Sequence, residues 1–156
     1  MTFTDTHCHL ADPKLADTLP AVLAEAQATG VARFIVPATS PKDWHSVAQL
    51  ERPSENIHIA LGIHPWFSDG LNEAAFQELE KKLTRHPQAW VGEIGLDFYG
   101  KEQTQAQRDT QTDVFIRQLI LAQNLNRRVI IHNLKATAAI AAAVKTAGFT
   151  RGGIVH

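Results

Sequence analysis

The feature that most constrains the fold is a series of six short apolar segments, separated by stretches that carry helix signals. Each segment is rich in Val, Ile, Leu or Phe near its middle, and five of the six run up to a histidine or a glutamate. Buried apolar runs of this kind are typical of parallel strands that are covered on both faces. The segments cover residues 3–9, 33–39, 57–64, 90–93, 128–132 and 153–156.

Helix signals lie between several of these segments. Ser40 and Pro41 predict a helix start, and Asn72 predicts another helix that ends before Pro87. An apolar stripe and an alanine-rich stretch predict two further helices, at Phe115, Leu119 and Ala122 and over residues 136–147. Strands that alternate with helices predict a parallel sheet with right-handed crossovers.

Two α/β architectures share this alternation: an open doubly wound sheet and a TIM-type (β/α)8 barrel. No glycine-rich phosphate loop follows the first segment, where the sequence reads HCHLADPK. We therefore predict a TIM-type barrel, with about six βα units present in a single domain that spans residues 1–156. Because such a barrel typically has ~250 residues, we expect this domain to be C-terminally incomplete. Its two open sheet edges would then favour self-association.

Composition excludes some functions and favours one compartment. The formal net charge of −1 argues against a broad basic face that tracks nucleic acid. A single cysteine, Cys8, suits a reducing compartment. The N-terminus lacks the pattern of a signal peptide, and no segment approaches the ~20 apolar residues of a membrane helix. We therefore predict a cytoplasmic protein with no membrane partner.

The residues at the ends of the predicted strands indicate a metal site. In a strand, His7 and His9 would point to the same side, about 7 Å apart along the backbone. Glu93 stands between Gly92 and Gly95, which permit a close backbone approach. His132 and His156 each follow three apolar residues. All of these side chains would meet at one barrel mouth.

Four histidines and a glutamate exceed what one tetrahedral zinc site uses when one position stays open. Two cations that share Glu93 fit the count better, and the donor types admit Mg, Mn, Zn, Ni or Co. Such a pair generates a nucleophile at neutral pH and stabilises both the attacking and the leaving oxygen of a phosphoester. The pattern therefore indicates phosphoester hydrolysis.

Further residues near these strand ends have two readings each. His64 could donate to a phosphate oxygen or orient the nucleophile, or it could have a structural capping role. Asp5 could hold a ligand imidazole, or it could be a buried aspartate satisfied without a metal. Asp97 could orient a ligand imidazole or form hydrogen bonds within its loop. Loop aromatics at the same mouth could stack on bases or pack within their loops: Trp66, Phe67, Phe98 and Tyr99. The remaining histidines are expected to be structural or solvated: His45, His58 and His86.

Five stretches together resemble the TatD family of metal-dependent deoxyribonucleases, in the amidohydrolase-like barrel superfamily: TDTHCHL, ALGIHP, VGEIGLDF, VIIH and GGIVH. The resemblance implies two divalent cations and 3′ to 5′ exonuclease or related phosphoesterase activity on DNA ends. It also implies roles for the ligands. His7 and His9 would bind one cation, His132 and His156 the other, and Glu93 would bridge them.

Two departures from the family pattern affect the prediction. The Ser-Arg pair that usually follows the fifth-strand histidine is replaced by Asn133 and Leu134, with Lys135 next. Lysine lacks the bidentate fork of arginine, so phosphate binding is altered. The family also continues beyond GGIVH to an eighth strand ending in Glu-Thr-Asp, whose aspartate resembles a metal ligand and proton acceptor.

These departures leave alternative functions open. One is an inactive fragment that still binds metal. Another is a hydrolase of the same superfamily that acts on a different small ester, lactone or amide, because fold alone does not set the substrate. Glu93 stands on the fourth strand, where no lysine suited to carbamylation is found, and this favours the TatD-like reading.

Overall fold

The computed structural model describes residues 1–52, 56–100 and 102–156, which form one parallel α/β sheet with its helices. The strands are β1 (Phe3–Asp5), β2 (Val31–Pro37), β3 (Ile57–Leu61), β4 (Trp90–Asp97), β5 (Val129–Leu134) and β6 (Gly153–Val155). The helices are α1 (Leu19–Ala28), α2 (Trp44–Ala48), α3 (Glu73–Arg85), α4 (Gln105–Asn124) and α5 (Thr137–Thr146).

The strands pair in sequence order, from β1 to β6, and every pairing is parallel. This order is that of a barrel wall, in which each strand is laid beside the one before it. The predicted fold class is confirmed: the six strands form the curled part of a TIM-type barrel. Their carboxyl ends therefore lie at one rim, where the predicted metal ligands were expected.

Both faces of the sheet are covered. The main core lies between the strands and the helices and includes Val36, Ile59 and Leu119. A smaller cluster on the other face contains Ile35, Ala60 and Ile130. Since His132 has the same strand parity as Ile130, it stands on this inner face at the carboxyl end of β5.

Element boundaries differ from the sequence predictions at several points. β1 ends at Asp5, so His7 and His9 lie in the bend beyond it, whereas β4 continues past Glu93 to Asp97. The second helix begins at Trp44, later than the start predicted at Ser40 and Pro41, and the Asp43 carboxylate accepts the backbone N–H groups of Thr39 and Ser40 in the turn before it. α1, which was not predicted from the sequence, fills the first crossover.

The predicted cap of α3 is confirmed. Asn72 precedes the helix and accepts a hydrogen bond from the backbone N–H of Ala75 at 3.1 Å.

Within the described residues, no helix is both long and apolar enough to cross a membrane.

Two glycines allow β4 to lie close to β5. A Cβ on Gly92 would lie 2.8 Å from the Cβ of Ile130, and a Cβ on Gly95 would overlap the backbone of His132. Gly95 also has a φ of +143°, which side chains other than glycine rarely adopt. The Gly92–Glu93 peptide bond is cis. The close approach at the two glycines leaves Glu93 and His132 side by side across the β4–β5 pair.

Candidate metal centre

The Glu93 side chain is the centre of the candidate site. Only 3% of the residue is exposed, and each carboxylate oxygen faces imidazole nitrogens. Oε2 lies 3.2 Å from Nε2 of His7. Oε1 lies 3.0 Å from Nδ1 of His132 and 2.8 Å from Nε2 of His156. One carboxylate therefore faces histidines from three separate segments of the chain.

His9 completes the first group. Its Nε2 lies 3.2 Å from Nε2 of His7, and the ligand atoms of these two residues and Glu93 lie within 4.8 Å of one another. Ligands bound tetrahedrally at ~2.0–2.1 Å from a zinc ion are about 3.3 Å apart. The spacing of His7 from both His9 and Glu93 therefore fits a shared cation. Among the described residues, none forms a hydrogen bond with the buried Nδ1 of His7.

A second set of ligand atoms within the same limit comprises His64, Glu93 and His132. Sequence reasoning put His156 in this set instead of His64. The hydrogen bonds of His64 separate the two candidates, because its Nδ1 accepts the backbone N–H of Trp66 at 3.2 Å. The proton of the neutral ring then sits on Nε2, 3.5 Å from Oε1 of Glu93. His64 is arranged as a donor rather than a ligand.

The electrostatics of His64 agree with that assignment. Burial lowers the pKa of this imidazole to about 4, and the charge of nearby Glu93 offsets only part of the effect. The ring is therefore neutral at physiological pH and keeps one N–H directed at the site.

The pKa values of Glu93 and His132 shift in the direction opposite to the one that burial would cause. Burial by itself would raise the pKa of Glu93, but hydrogen bonds from His132 and His7 hold it well below its ordinary range. The pKa of His132 is raised, chiefly by its hydrogen bond to Glu93. Glu93 is thus an anion that is ready to bind cations.

Asp97 adds a second buried carboxylate to the site, with 2% of its surface exposed. Its Oδ2 lies 3.3 Å from Nε2 of His132 and accepts the indole N–H of Trp66 at 2.7 Å. Its Oδ1 accepts the backbone N–H of Tyr99. Asp97 therefore holds the far side of the His132 ring, one of the two roles considered from the sequence.

Asp5 does not orient an imidazole. Its carboxylate accepts the backbone N–H of His7 at 3.1 Å, because the chain bends directly after β1. Between the two histidines, Cys8 turns away and its thiol lies 3.5 Å from the carbonyl oxygen of Ile35. Burial raises the pKa of this thiol to about 12, so Cys8 is neutral and belongs to the packing of the bend.

Sequence reasoning missed the glutamines that support the site. The amide of Gln118, fully buried on α4, accepts the N–H of Ile63 at 2.7 Å and donates to its carbonyl oxygen at 3.0 Å. This pairing fixes the backbone next to His64. Gln111 accepts the backbone N–H of Asp97 at 3.0 Å. Their only sequence signal was a polar residue at a helix position that should be apolar.

The predicted ligands and His64 surround one cavity of about 370 Å³, to which Trp66, Phe67 and Thr39 also contribute. Phe98 packs instead against the core, under the guanidinium of Arg108. Tyr99 is exposed outside this cavity. The other histidines lie away from the site, as expected. His45 is exposed on α2, His58 lies within β3, and His86 pairs with Glu51.

A parallel barrel sheet with histidines and a carboxylate at the carboxyl ends of its strands is the architecture of metal-dependent barrel hydrolases. The profile of the family described as TatD related DNase matches residues 4–156. The chain belongs to this family of metal-dependent hydrolases.

Relatives of known sequence and structure agree with the family. The chain is 33% identical to the metal-dependent hydrolase YjjV of Escherichia coli K12 over 156 residues, 99% of this chain. It is 31% identical to the human deoxyribonuclease TATDN3, over 85% of this chain and 52% of that protein. The YjjV crystal structure superposes with a TM-score of 0.89 over 99% of this chain. The chain spans 59% of the length of YjjV.

The same fold recurs in a more distant structure. A TatD-family hydrolase from Entamoeba histolytica has a TM-score of 0.80 at 20% identity, over 95% of this chain and 55% of that one.

Proposed function

We propose that this site hydrolyses phosphodiester bonds at DNA ends, in the 3′ to 5′ direction, with two divalent cations as cofactors. The supporting observation is the Glu93 carboxylate, whose two oxygens face different histidines at 2.8–3.2 Å. His7 and His9 would hold one cation, His132 and His156 the other, and Glu93 both. When bound, the cations would supply a hydroxide nucleophile at neutral pH and neutralise charge on the phosphate.

The donor types favour some cations over others. Four imidazoles and one carboxylate suit Zn, Ni or Co better than Mn or Mg, which prefer oxygen ligands. Of the metals admitted by the sequence, we therefore expect the imidazole-binding group to support activity best.

His64 has the role of an N–H donor in this proposal. Its Nδ1 is occupied by the Trp66 backbone and its Nε2 proton faces the cavity. A phosphate oxygen placed over Glu93 would accept that proton in a hydrogen bond. Because the ring stays neutral, this interaction does not vary across the physiological pH range.

Phosphate binding outside the metal centre depends on different residues from those usual in the family. Asn133 turns its amide to Thr137 on α5 at 2.9 Å, away from the cavity. Lys135 is exposed just after β5 and is the nearest cation that follows this strand in the sequence. We expect it to contribute a weak, salt-sensitive attraction to substrate rather than a bidentate contact.

Names of relatives support the reaction class. YjjV is named a metal-dependent hydrolase and TATDN3 a deoxyribonuclease. The cleavage chemistry of this chain is our inference from that kinship together with the donor set.

The decisive experiment supplies the purified chain with Mn²⁺, Zn²⁺, Ni²⁺, Co²⁺ or Mg²⁺ and DNA labelled at either end. Stepwise shortening from the 3′ end is expected. Glu93→Gln should lower the rate at least about 100-fold. Glu78→Gln, the same change at an exposed position on α3, should not. Bound metal without cleavage would indicate the inactive fragment, and cleavage of lactones or amides alone would indicate the other hydrolases.

Two further proposals concern the state of the protein. We expect a reducing, cytoplasmic environment because the sequence holds one cysteine, and its thiol is partly buried. We also propose that chains associate by pairing through the edge strands β1 or β6. Light scattering over a concentration series measures the molar mass and so tests this association.

A further inference from the structure

Trp66 is an unusual residue at the rim of the metal site. It is 71% exposed, yet its indole N–H donates to the buried carboxylate of Asp97 at 2.7 Å. Its backbone N–H is also fixed, by Nδ1 of His64 at 3.2 Å. A large aromatic side chain is thus exposed to solvent while both of its N–H groups are anchored, so it offers a face whose position is set in advance.

A second cavity, of about 220 Å³, lies beside Trp66. Its remaining lining consists of Pro65, Ser68, Asp69, Gln103, Gln107 and Gln111. Among the described residues, no lysine or arginine lines it, so it is not built for a phosphate. An aromatic wall, neutral amides and one carboxylate are suited to an uncharged planar group that carries hydrogen-bond donors and acceptors.

The glutamine amides are held in fixed orientations. Gln103 donates to the backbone carbonyl of Asp97 at 2.9 Å, and Gln111 accepts the N–H of the same residue at 3.0 Å. The oxygen of Gln107 accepts the N–H of Thr104. Within residues 1–52, 56–100 and 102–156, the NH₂ groups of Gln107 and Gln111 donate no hydrogen bond, so both can serve other acceptors. Within the same residues, the buried Oε1 of Gln103 accepts no hydrogen bond.

The position of this cavity relates it to the metal centre. Trp66 lines both cavities, and Asp97, which anchors Trp66, also contacts His132. A ring stacked on Trp66 would be joined by its sugar to a phosphate over Glu93. The two cavities can thus be occupied by adjoining parts of one nucleotide.

We propose that Trp66 and the glutamine-lined cavity form a subsite for the nucleobase next to the scissile phosphate. This rests on the proposed function for the identity of the substrate. The base stacks on the indole, and its edge meets the side-chain amides and Asp69. Stacking tolerates every base, so the subsite distinguishes nucleotides from base-free phosphoesters more than one base from another.

The first experiment measures binding without metal and therefore without hydrolysis. Deoxyadenosine 5′-monophosphate is titrated into the chelator-treated chain, and binding to every variant is measured by isothermal titration calorimetry, with tryptophan fluorescence as a second readout for chains that contain Trp66. Saturable quenching is expected, and deoxyribose 5-phosphate should produce none. Trp66→Leu should weaken nucleotide binding about tenfold or more. Trp66→Phe, which keeps a stacking face without the bond to Asp97, should retain part of it.

Trp90→Phe is the matched control, because Trp90 begins β4 and lies at the opposite end of the strands from the metal centre. It should leave the quenching unchanged. Equal binding by Trp66→Leu and the unmodified chain, or quenching by the sugar phosphate as well, would overturn the subsite.

The second experiment compares kcat/KM for a dinucleotide with kcat/KM for its abasic analogue. The unmodified chain should prefer the intact dinucleotide, and Trp66→Leu should lose most of that preference. Equal rates on both substrates would refute the subsite while leaving the hydrolase proposal intact. Nucleotide binding at Trp66 without cleavage of either substrate would instead refute the hydrolase proposal and keep the subsite.

Discussion

A buried carboxylate is costly unless opposite charges or hydrogen bonds compensate it, and Glu93 obtains that compensation from imidazoles. His7, His132 and His156 approach its oxygens at 2.8–3.2 Å. In the metal-free chain the hydrogen bonds from His132 and His7 hold the pKa of Glu93 low although burial would raise it, so the anion that a cation needs is already present. The arrangement that stabilises the buried charge is therefore also the one that prepares a metal site.

His64 permits a prediction about pH. Burial lowers its pKa to about 4 in the folded, metal-free chain. The unfolded chain binds this proton below about pH 6.5, whereas the folded chain does not until about pH 4. His64 should therefore reduce stability as pH falls through that window, by roughly 3 kcal/mol in total, and should have no effect above it.

NMR titration of the imidazole carbons measures this directly. The His64 resonances should stay at neutral-ring positions down to about pH 4, and His64→Asn should remove the corresponding part of the pH dependence of unfolding. Titration of His64 near pH 6.5 would contradict the lowering of its pKa by burial.

Residue identities at the site were predictable because ligand chemistry is visible in the sequence at strand ends. Orientations were less so. Asp5 was expected to reach an imidazole, but β1 ends there and its carboxylate accepts the His7 N–H instead. His7 and His9 were predicted to converge because alternate side chains of a strand point to the same side. They do converge, but they lie beyond the end of β1 and not within a strand. The sequence therefore predicted that the two side chains meet, but not the backbone geometry that brings them together.

At the scale of secondary-structure elements, the β4–β5 pair determines the geometry of the site. Gly95 lies opposite His132 in the register, and a side chain there would overlap the His132 carbonyl oxygen. Because both partners are backbone in a buried parallel pair, neither can move aside cheaply.

Gly95→Ala is therefore expected to destabilise the fold by more than about 4 kcal/mol, or to prevent soluble expression. Gly70→Ala is the control, since Gly70 also has a positive φ (+70°) but a Cβ there meets nothing within 4 Å. It should cost only about 1 kcal/mol. Urea denaturation of both variants measures the difference, and similar losses would show that strain in φ, rather than overlap, explains the glycine.

Gln118 offers a test of how α4 supports the site. Its amide satisfies both backbone groups of Ile63 in the core. Gln118→Leu keeps the volume but leaves that N–H and C=O without partners, at a cost of roughly 2–4 kcal/mol. Gln77→Leu on the exposed face of α3 is the matched control and should change the free energy of unfolding by less than about 0.5 kcal/mol. A neutral Gln118→Leu would mean that water can replace the amide.

Most of the elements followed from hydrophobic patterning. The strand positions, the start of α3 at Asn72 and the helical stripe of α4 were all predicted from residue spacing. α1 was not, because its residues are at most half-buried and its pattern of apolar residues is weak. Strand ends also moved by a few residues, since β4 continues through Gly95 to Asp97, beyond the predicted end at Glu93.

At the scale of the whole molecule, the six parallel strands bring distant segments together without any long-range sequence signal. His7 and His156 are separated by nearly the entire chain, yet their rings lie 3.9 Å apart, centroid to centroid. Parallel order places the carboxyl end of every strand at the same rim, and the curl of the sheet brings its first and last strands, β1 and β6, together there. Because the candidate metal ligands come from several strands, metal binding should increase the stability of the whole fold.

We therefore expect divalent cations to stabilise the whole fold. A cation at a hundredfold excess over its dissociation constant should add about 2.7 kcal/mol to the free energy of unfolding. For a domain of this size the melting temperature should rise by roughly 5–10 °C. Thermal unfolding with Zn²⁺ or Mn²⁺, followed by a chelator to reverse the shift, measures the effect. Glu93→Gln should abolish most of the shift and Glu78→Gln none, and a shift retained in Glu93→Gln would place the cations elsewhere.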